Sequence, residues 1–162
     1  MAVEQLEDAL KAYFANRYHS AIVLAGASEQ LLAGYVLKHK MEPSWSQMRG
    51  AITKIANGLH QQVAGKPGMT TEKNIGDLLN RAYNHSKHAG TKDHIVLMNP
   101  KFEARELIDR CISNYDMLFA RTDYRLQDIP LIQNFMHESI NEVQFEDEAT
   151  DILKPLASEG GA

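Results

Sequence analysis

The stretch Asn80-Arg81-Ala82-Tyr83-Asn84-His85-Ser86-Lys87-His88 holds the residues best suited to chemistry. Its pattern predicts a helix, which advances by about 100° per residue. Arg81 and His88 then fall within about 20° of one another. His85 lies about 40° to one side and Asn84 about 60° to the other. One narrow face carries a guanidinium, an amide and two imidazoles, with Asn80 as a supporting polar residue. Arginine presents a planar fork of donors matched to phosphate. Histidine titrates near neutral pH and can take or give a proton. Together they suit cleavage of an RNA phosphodiester. One imidazole would assist attack by the 2′-hydroxyl while the guanidinium stabilises charge developing on phosphorus. That route needs no metal and no cofactor. The same groups also suit simple binding of a nucleotide phosphate.

Other residues offer rival or supporting chemistry. His85 and His88 have a spacing that can share an ion, but a metal site needs three or four ligands. No third ligand is spaced to complete it, and the Glu-x-x-His pairs of di-iron bundles are absent. Glu29 falls on an apolar helix among Ile22, Ala25, Ala33 and Val36, where an acid is expensive unless paired. It reads first as half of a structural salt bridge, and second as a group orienting Arg81 or a histidine from behind. Cys111 falls on an apolar stripe and reads as a core residue. Ser20, Ser28 and Ser86 lack a nucleophile-elbow context. The chain has no P-loop and no Gly-x-Gly-x-x-Gly fingerprint. Arg17, His19 and Lys38 to Lys40 read as helix-end charges. Trp45 and Met48 read as core contacts before an exposed anchor.

The elements that must hold these groups are helical almost throughout. Val3, Leu6, Leu10, Tyr13 and Phe14 form a first amphipathic stripe. A second helix is expected from about Arg17 to Lys40, stopped by Pro43. It is apolar around most of its circumference (Ile22, Val23, Leu24, Leu31, Leu32, Val36, Leu37), as befits a central helix. Its small residues, including Gly26 and Gly34, predict close approach of a neighbouring backbone. Ser44 is expected to cap a third helix with Met48, Ile52, Ile55, Leu59 and Val63 on its buried face. Gly65-Lys66-Pro67-Gly68 is a break. Thr71 is expected to cap the fourth helix, with Ile75, Leu79, Ala82 and Ser86 inward and Gly90 at its end. His94 to Met98 reads as a buried extended connection. Asn99-Pro100 starts a fifth helix with the stripe Ala104, Ile108, Cys111, Ile112, Tyr115, Leu118 and Phe119. Asp128 begins a sixth, with Ile132, Phe135, Met136, Ile140 and Val143. The expectation is one all-α bundle over residues 1–145, of five or six helices. An acidic, fraying tail follows over 146–162.

Composition limits the function classes. A length of 162 residues fits one domain with a sizeable core, and 44% hydrophobic residues exclude a disordered chain. The net charge of -4 gives no general electrostatic reason to bind nucleic acid, so any such contact needs a local basic patch. A single cysteine excludes an internal disulfide and fits a reducing cytosol. The acidic N-terminus is unlike a signal peptide, and no run reaches the ~18 apolar residues of a membrane span. The expectation is a cytoplasmic protein without membrane contact.

Arg81-x6-His88 resembles the Arg-x(4–6)-His signature of the HEPN superfamily (higher eukaryotes and prokaryotes nucleotide-binding). Ala21 to Leu32 and Glu103 to Tyr115 are similar to bacterial members of that group. The resemblance spans roughly helices two to five. It implies a helical bundle, often a homodimer in which two Arg/His motifs face one another. Active members are metal-independent endoribonucleases, frequently toxins or antiviral effectors, which would bring an antitoxin partner. Others serve as binding or interaction modules. Carried over by position, Arg81 would contact phosphate and His88 would be the acid/base. A second function class stands beside this one: a non-catalytic regulatory module whose polar face makes dimer or partner contacts.

Overall fold

The computed structural model describes residues 1–66, 68–81, 83–84 and 99–141. The architecture is all-α, and no strand occurs among the described residues. The elements are α1 (Ala2–Phe14), α2 (Tyr18–Lys38), α3 (Ser44–Ala64), α4 (Glu72–Leu79), α5 (Pro100–Arg121) and α6 (130–141). The chain divides into two compact units, Met1–Gln127 and Asp128–Ala162, and the division falls in the segment between α5 and α6. The connection expected over residues 94–98 and the tail from Glu146 lie outside the described residues.

In the first unit α2 packs against both α1 and α5. Leu6 and Leu10 of α1, Ile22, Leu32 and Val36 of α2, and Ile108, Cys111 and Leu118 of α5 are buried together in the core. Ala25 meets Cys111, and Tyr35 meets Tyr124 just beyond α5, so α2 and α5 run in the same direction. The Cys111 thiol donates to the Ala25 carbonyl at 3.1 Å. Ser28 Oγ, also buried, donates to the Ala2 carbonyl at 2.9 Å and ties α1 to α2. α2 is long and apolar enough to cross a membrane, with a mean hydropathy of 1.4 in its most apolar window, but core helices pass the same test. It is not covered all round: Val23 and Leu37 remain exposed.

The turns have local causes. α1 ends in a Schellman arrangement, with Arg17 N–H on the Ala12 carbonyl and Asn16 N–H on that of Tyr13. Asn16 takes the left-handed position at φ 57°. α2 ends the same way, with Met41 N–H on Val36 and Lys40 N–H on Leu37. There the left-handed residue is Lys40, at φ 59°, where glycine is the usual occupant. Thr71 caps α4 by accepting from Asn74 N–H, and Asn99 caps α5 by accepting from Lys101 and Phe102 N–H. Asn57 holds the α3–α4 loop through two bonds of 3.0 Å to the Thr70 backbone.

Three expected stripes are revised. α3 has no buried residue at all, and Ile55, Leu59 and Val63 face solvent. Among the described residues the helix touches α4 along its side and α5 near Ser44. Ser44 does not cap α3 with its own side chain; Asn114 Oδ1 of α5 accepts the Ser44 N–H at 2.9 Å instead. On α5 the stripe ends at Leu118, and Phe119 is exposed while stacking on Tyr115 at 5.9 Å. In the second unit Ile132 and Phe135 are buried, whereas Met136 and Ile140 are exposed.

Candidate functional site

The segment that follows α4 turns two residues inward and two outward. Asn80 closes α4, and the backbone continues helically, with Asn84 N–H on the Asn80 carbonyl at 2.9 Å. Arg81 and Asn84 are exposed, Tyr83 is buried and Asn80 is half-buried. Among the described residues, burial on this side runs through Ile75, half-buried Leu79 and Tyr83. A tyrosine ring carries a large apolar surface, and that of Tyr83 is buried. His85 and His88 lie outside the described residues, as do Ala82 and Ser86.

The inward pair is held by α2 and α5. The ring of Tyr83 lies directly on Gly26, where a Cβ would overlap three of its carbons. The close approach expected at the small residues of α2 is therefore made at Gly26 by a side chain, and a Cβ at Gly34 would meet nothing within 4 Å among the described residues. Asn80 Oδ1 accepts from Arg110 Nη1 at 3.1 Å. Arg110 is only 6% exposed. Its Nε donates to the Glu106 carbonyl at 3.3 Å, and its guanidinium lies 4.7 Å from the centre of the Trp45 ring. Burial lowers its pKa, and the Glu29 charge opposes that drop more than any other group. Ser44 Oγ donates to the Arg110 carbonyl at 3.1 Å, which joins the start of α3 to the same hub.

Glu29 faces this hub. Its Oε1 is buried without a hydrogen-bond partner, and so is Asn114 Nδ2. Burial raises the Glu29 pKa, while the Arg110 charge and the nearby Asn114 amide pull it down. The same carboxylate adds to the rise in the Tyr83 pKa, after burial. Glu29 thus stands opposite Arg110, and no ion pair closes between them among the described residues. The expected salt bridge is an open, part-buried couple, and its cation comes from α5.

Arg81 makes no hydrogen bond or ion pair among the described residues. Its guanidinium is available to a ligand, with Asn84 exposed one turn along. No group of three metal-ligating side chains is found among the described residues. Cys111 is fully buried, and burial pushes its thiol pKa far up, so it is no nucleophile.

Compared with known proteins, the chain matches no family model, aligns significantly with no curated protein and superposes significantly on no solved structure.

The residues missed at the sequence level are Arg110 and Asn114. Their signal was present. Glu103, Glu106, Arg110 and Asn114 recur at helical spacing and make a polar line beside the Cys111 stripe. A line of charges on a helix normally reads as its solvated face. Here α3 and the segment after α4 cover part of it.

Proposed function

We propose that this chain is a helical phosphate-binding protein of HEPN-like type that engages RNA or a nucleotide through the Arg81 face. The observation that carries this reading is the exposed Arg81, unpaired among the described residues, on a segment whose neighbours Asn80 and Tyr83 are anchored. A guanidinium on a fixed base presents its donors to an anion with little ordering left to do. Asn84 adds a neutral amide beside it. In the catalytic form His88 supplies the acid/base, His85 assists, and cleavage proceeds without a metal. Glu29 acts from behind, through Arg110 and Asn80, as a positioning charge. The test is cleavage of single-stranded RNA by purified protein in EDTA. Cleavage is expected, with loss in both His88→Ala and Arg81→Ala. Equal cleavage by either variant overturns the catalytic assignment of that residue.

A second reading is favoured by α3. Ile55, Leu59 and Val63 form one stripe and are 61%, 56% and 88% exposed. Contiguous exposed apolar surface marks association sites. In this reading the chain is a non-catalytic interaction module, a homodimer or the mate of a partner such as an antitoxin. It predicts no RNA cleavage and a sedimentation coefficient that falls in Leu59→Asp or Arg81→Ala. Unchanged sedimentation in both variants counts against it.

A further inference from the structure

The ends of α2 and α5 flank an open surface cleft of about 530 Å³ lined by Lys38, His39, Arg121, Thr122, Asp123 and Tyr124. It is separate from the Arg81 face. Tyr83 rests on Gly26, twelve residues before Lys38 on α2, which is about 18 Å along the helix axis.

Two cations and an aromatic ring converge there. Lys38 and Arg121 are the last residues of their helices. Basic residues at helix C-termini are usually explained by the helix dipole. The dipole does not account for the rest of the arrangement. Neither cation is ion-paired among the described residues, although Asp123 shares the cleft. Tyr124 makes T-shaped ring contacts with Tyr35 at 5.9 Å and His39 at 5.1 Å, yet stays 40% exposed. The chain leading to it is fixed as well: Thr122 Oγ1 bonds the Leu118 carbonyl and accepts the Tyr124 N–H. The ring is therefore presented at a set position beside Lys38 and Arg121. Lys38 and Arg121 against Asp123 leave the cleft with a net charge of +1 in a chain of net charge -4.

We propose that this cleft binds a nucleotide unit, with its phosphate between Lys38 and Arg121 and its base against the Tyr124 ring. Arginine and lysine supply charge-assisted donors to phosphate oxygens. An aromatic face accepts any base by stacking. The volume lies within the range of small-molecule sites. The unit is either a free nucleotide or one residue of a single strand, since both carry the same phosphate and base.

The experiment uses the full chain and three probes: adenosine monophosphate, inorganic phosphate and a short single-stranded oligoadenylate. Binding is followed by calorimetry and by amide chemical-shift mapping. Shifts are expected at residues 38–39 and 121–124. Lys38→Ala/Arg121→Ala is expected to weaken nucleotide binding by about tenfold or more. Tyr124→Ala weakens it by about tenfold, the scale of one base–aromatic stack, and leaves phosphate binding unchanged. Tyr124→Phe, which keeps the ring, restores affinity and guards against a folding artefact. Arg81→Ala leaves shifts at the cleft in place, which separates this proposal from the function proposed above. Tighter binding of the oligonucleotide assigns the site to a strand; equal binding assigns it to a mononucleotide. The proposal is overturned by phosphate binding as well as the nucleotide, by wild-type affinity in the double variant, or by no shifts at the cleft.

Discussion

The ring of Tyr83 lies against Gly26 so closely that a single methyl group at position 26 would occupy the same space. This contact fixes the segment that presents Arg81 onto the central helix. Gly26→Ala should therefore destabilise the protein by about 1–3 kcal/mol, the usual range for overpacking. In Tyr83→Ala the same alanine should cost much less. A double-mutant cycle by urea denaturation reads the coupling, and additive effects would mean that the two residues do not meet.

Arg110 should matter more to stability than Glu29. Arg110→Ala removes the guanidinium from Asn80 and Trp45 and takes from Glu29 the cation whose charge lowers its pKa. Losses on breaking a buried charge couple run to about 3–5 kcal/mol. Glu29→Gln removes a carboxylate whose Oε1 has no partner, while Arg110 keeps its bonds to Asn80 and Glu106. A larger loss in Glu29→Gln than in Arg110→Ala would reverse the assignment of the hub.

Asp109 gives a pH signature. Its pKa is raised to about 6, first by burial of the carboxyl and then by the Glu106 charge, against Arg105. The residue as a whole stays exposed, so the effect is screened and modest. The folded state holds this proton more tightly than the unfolded chain. The contribution is therefore favourable at low pH and is lost as pH rises from about 4 to about 6. Asp109→Asn should flatten that part of the stability curve in denaturant melts across the window. An unchanged slope would remove the assignment.

Lys40 sits in the left-handed conformation that closes α2. A side chain there costs about 1 kcal/mol, and Lys40→Gly should raise stability by up to that amount. A lowered thermal midpoint would show that the lysine contributes a contact that outweighs its backbone strain.

The Cys111 thiol is sealed by burial and bonded to the Ala25 carbonyl. Alkylation should be negligible in the folded state and fast in denaturant. Rapid labelling of native protein would mean that α5 opens away from α2.

Local features were legible because their causes are local. The caps at Thr71 and Asn99 depend on one side chain and the next turn, so residue type alone reveals them. The apolar periods of α1, α2 and α5 follow from the 3.6-residue repeat, and with them the all-α class and the core place of Cys111. Arg81 and Asn84 as exposed polar groups also follow from type and spacing.

Partners across the chain were decided only by tertiary structure. Sequence shows that Glu29 needs a neighbour but not that Arg110, eighty-one positions away, stands opposite it. The stripe of α3 has the same period as that of α5, yet α5 is covered and most of α3 is not. Periodicity records which face is apolar; it carries no information on which helix arrives to bury it. The same limit explains Tyr83, whose inward turn depends on a space left open at Gly26. The basic cleft between Lys38 and Arg121 exists because two parallel helices end at one level. No local spacing encodes such a meeting, since it is set by how the whole core packs.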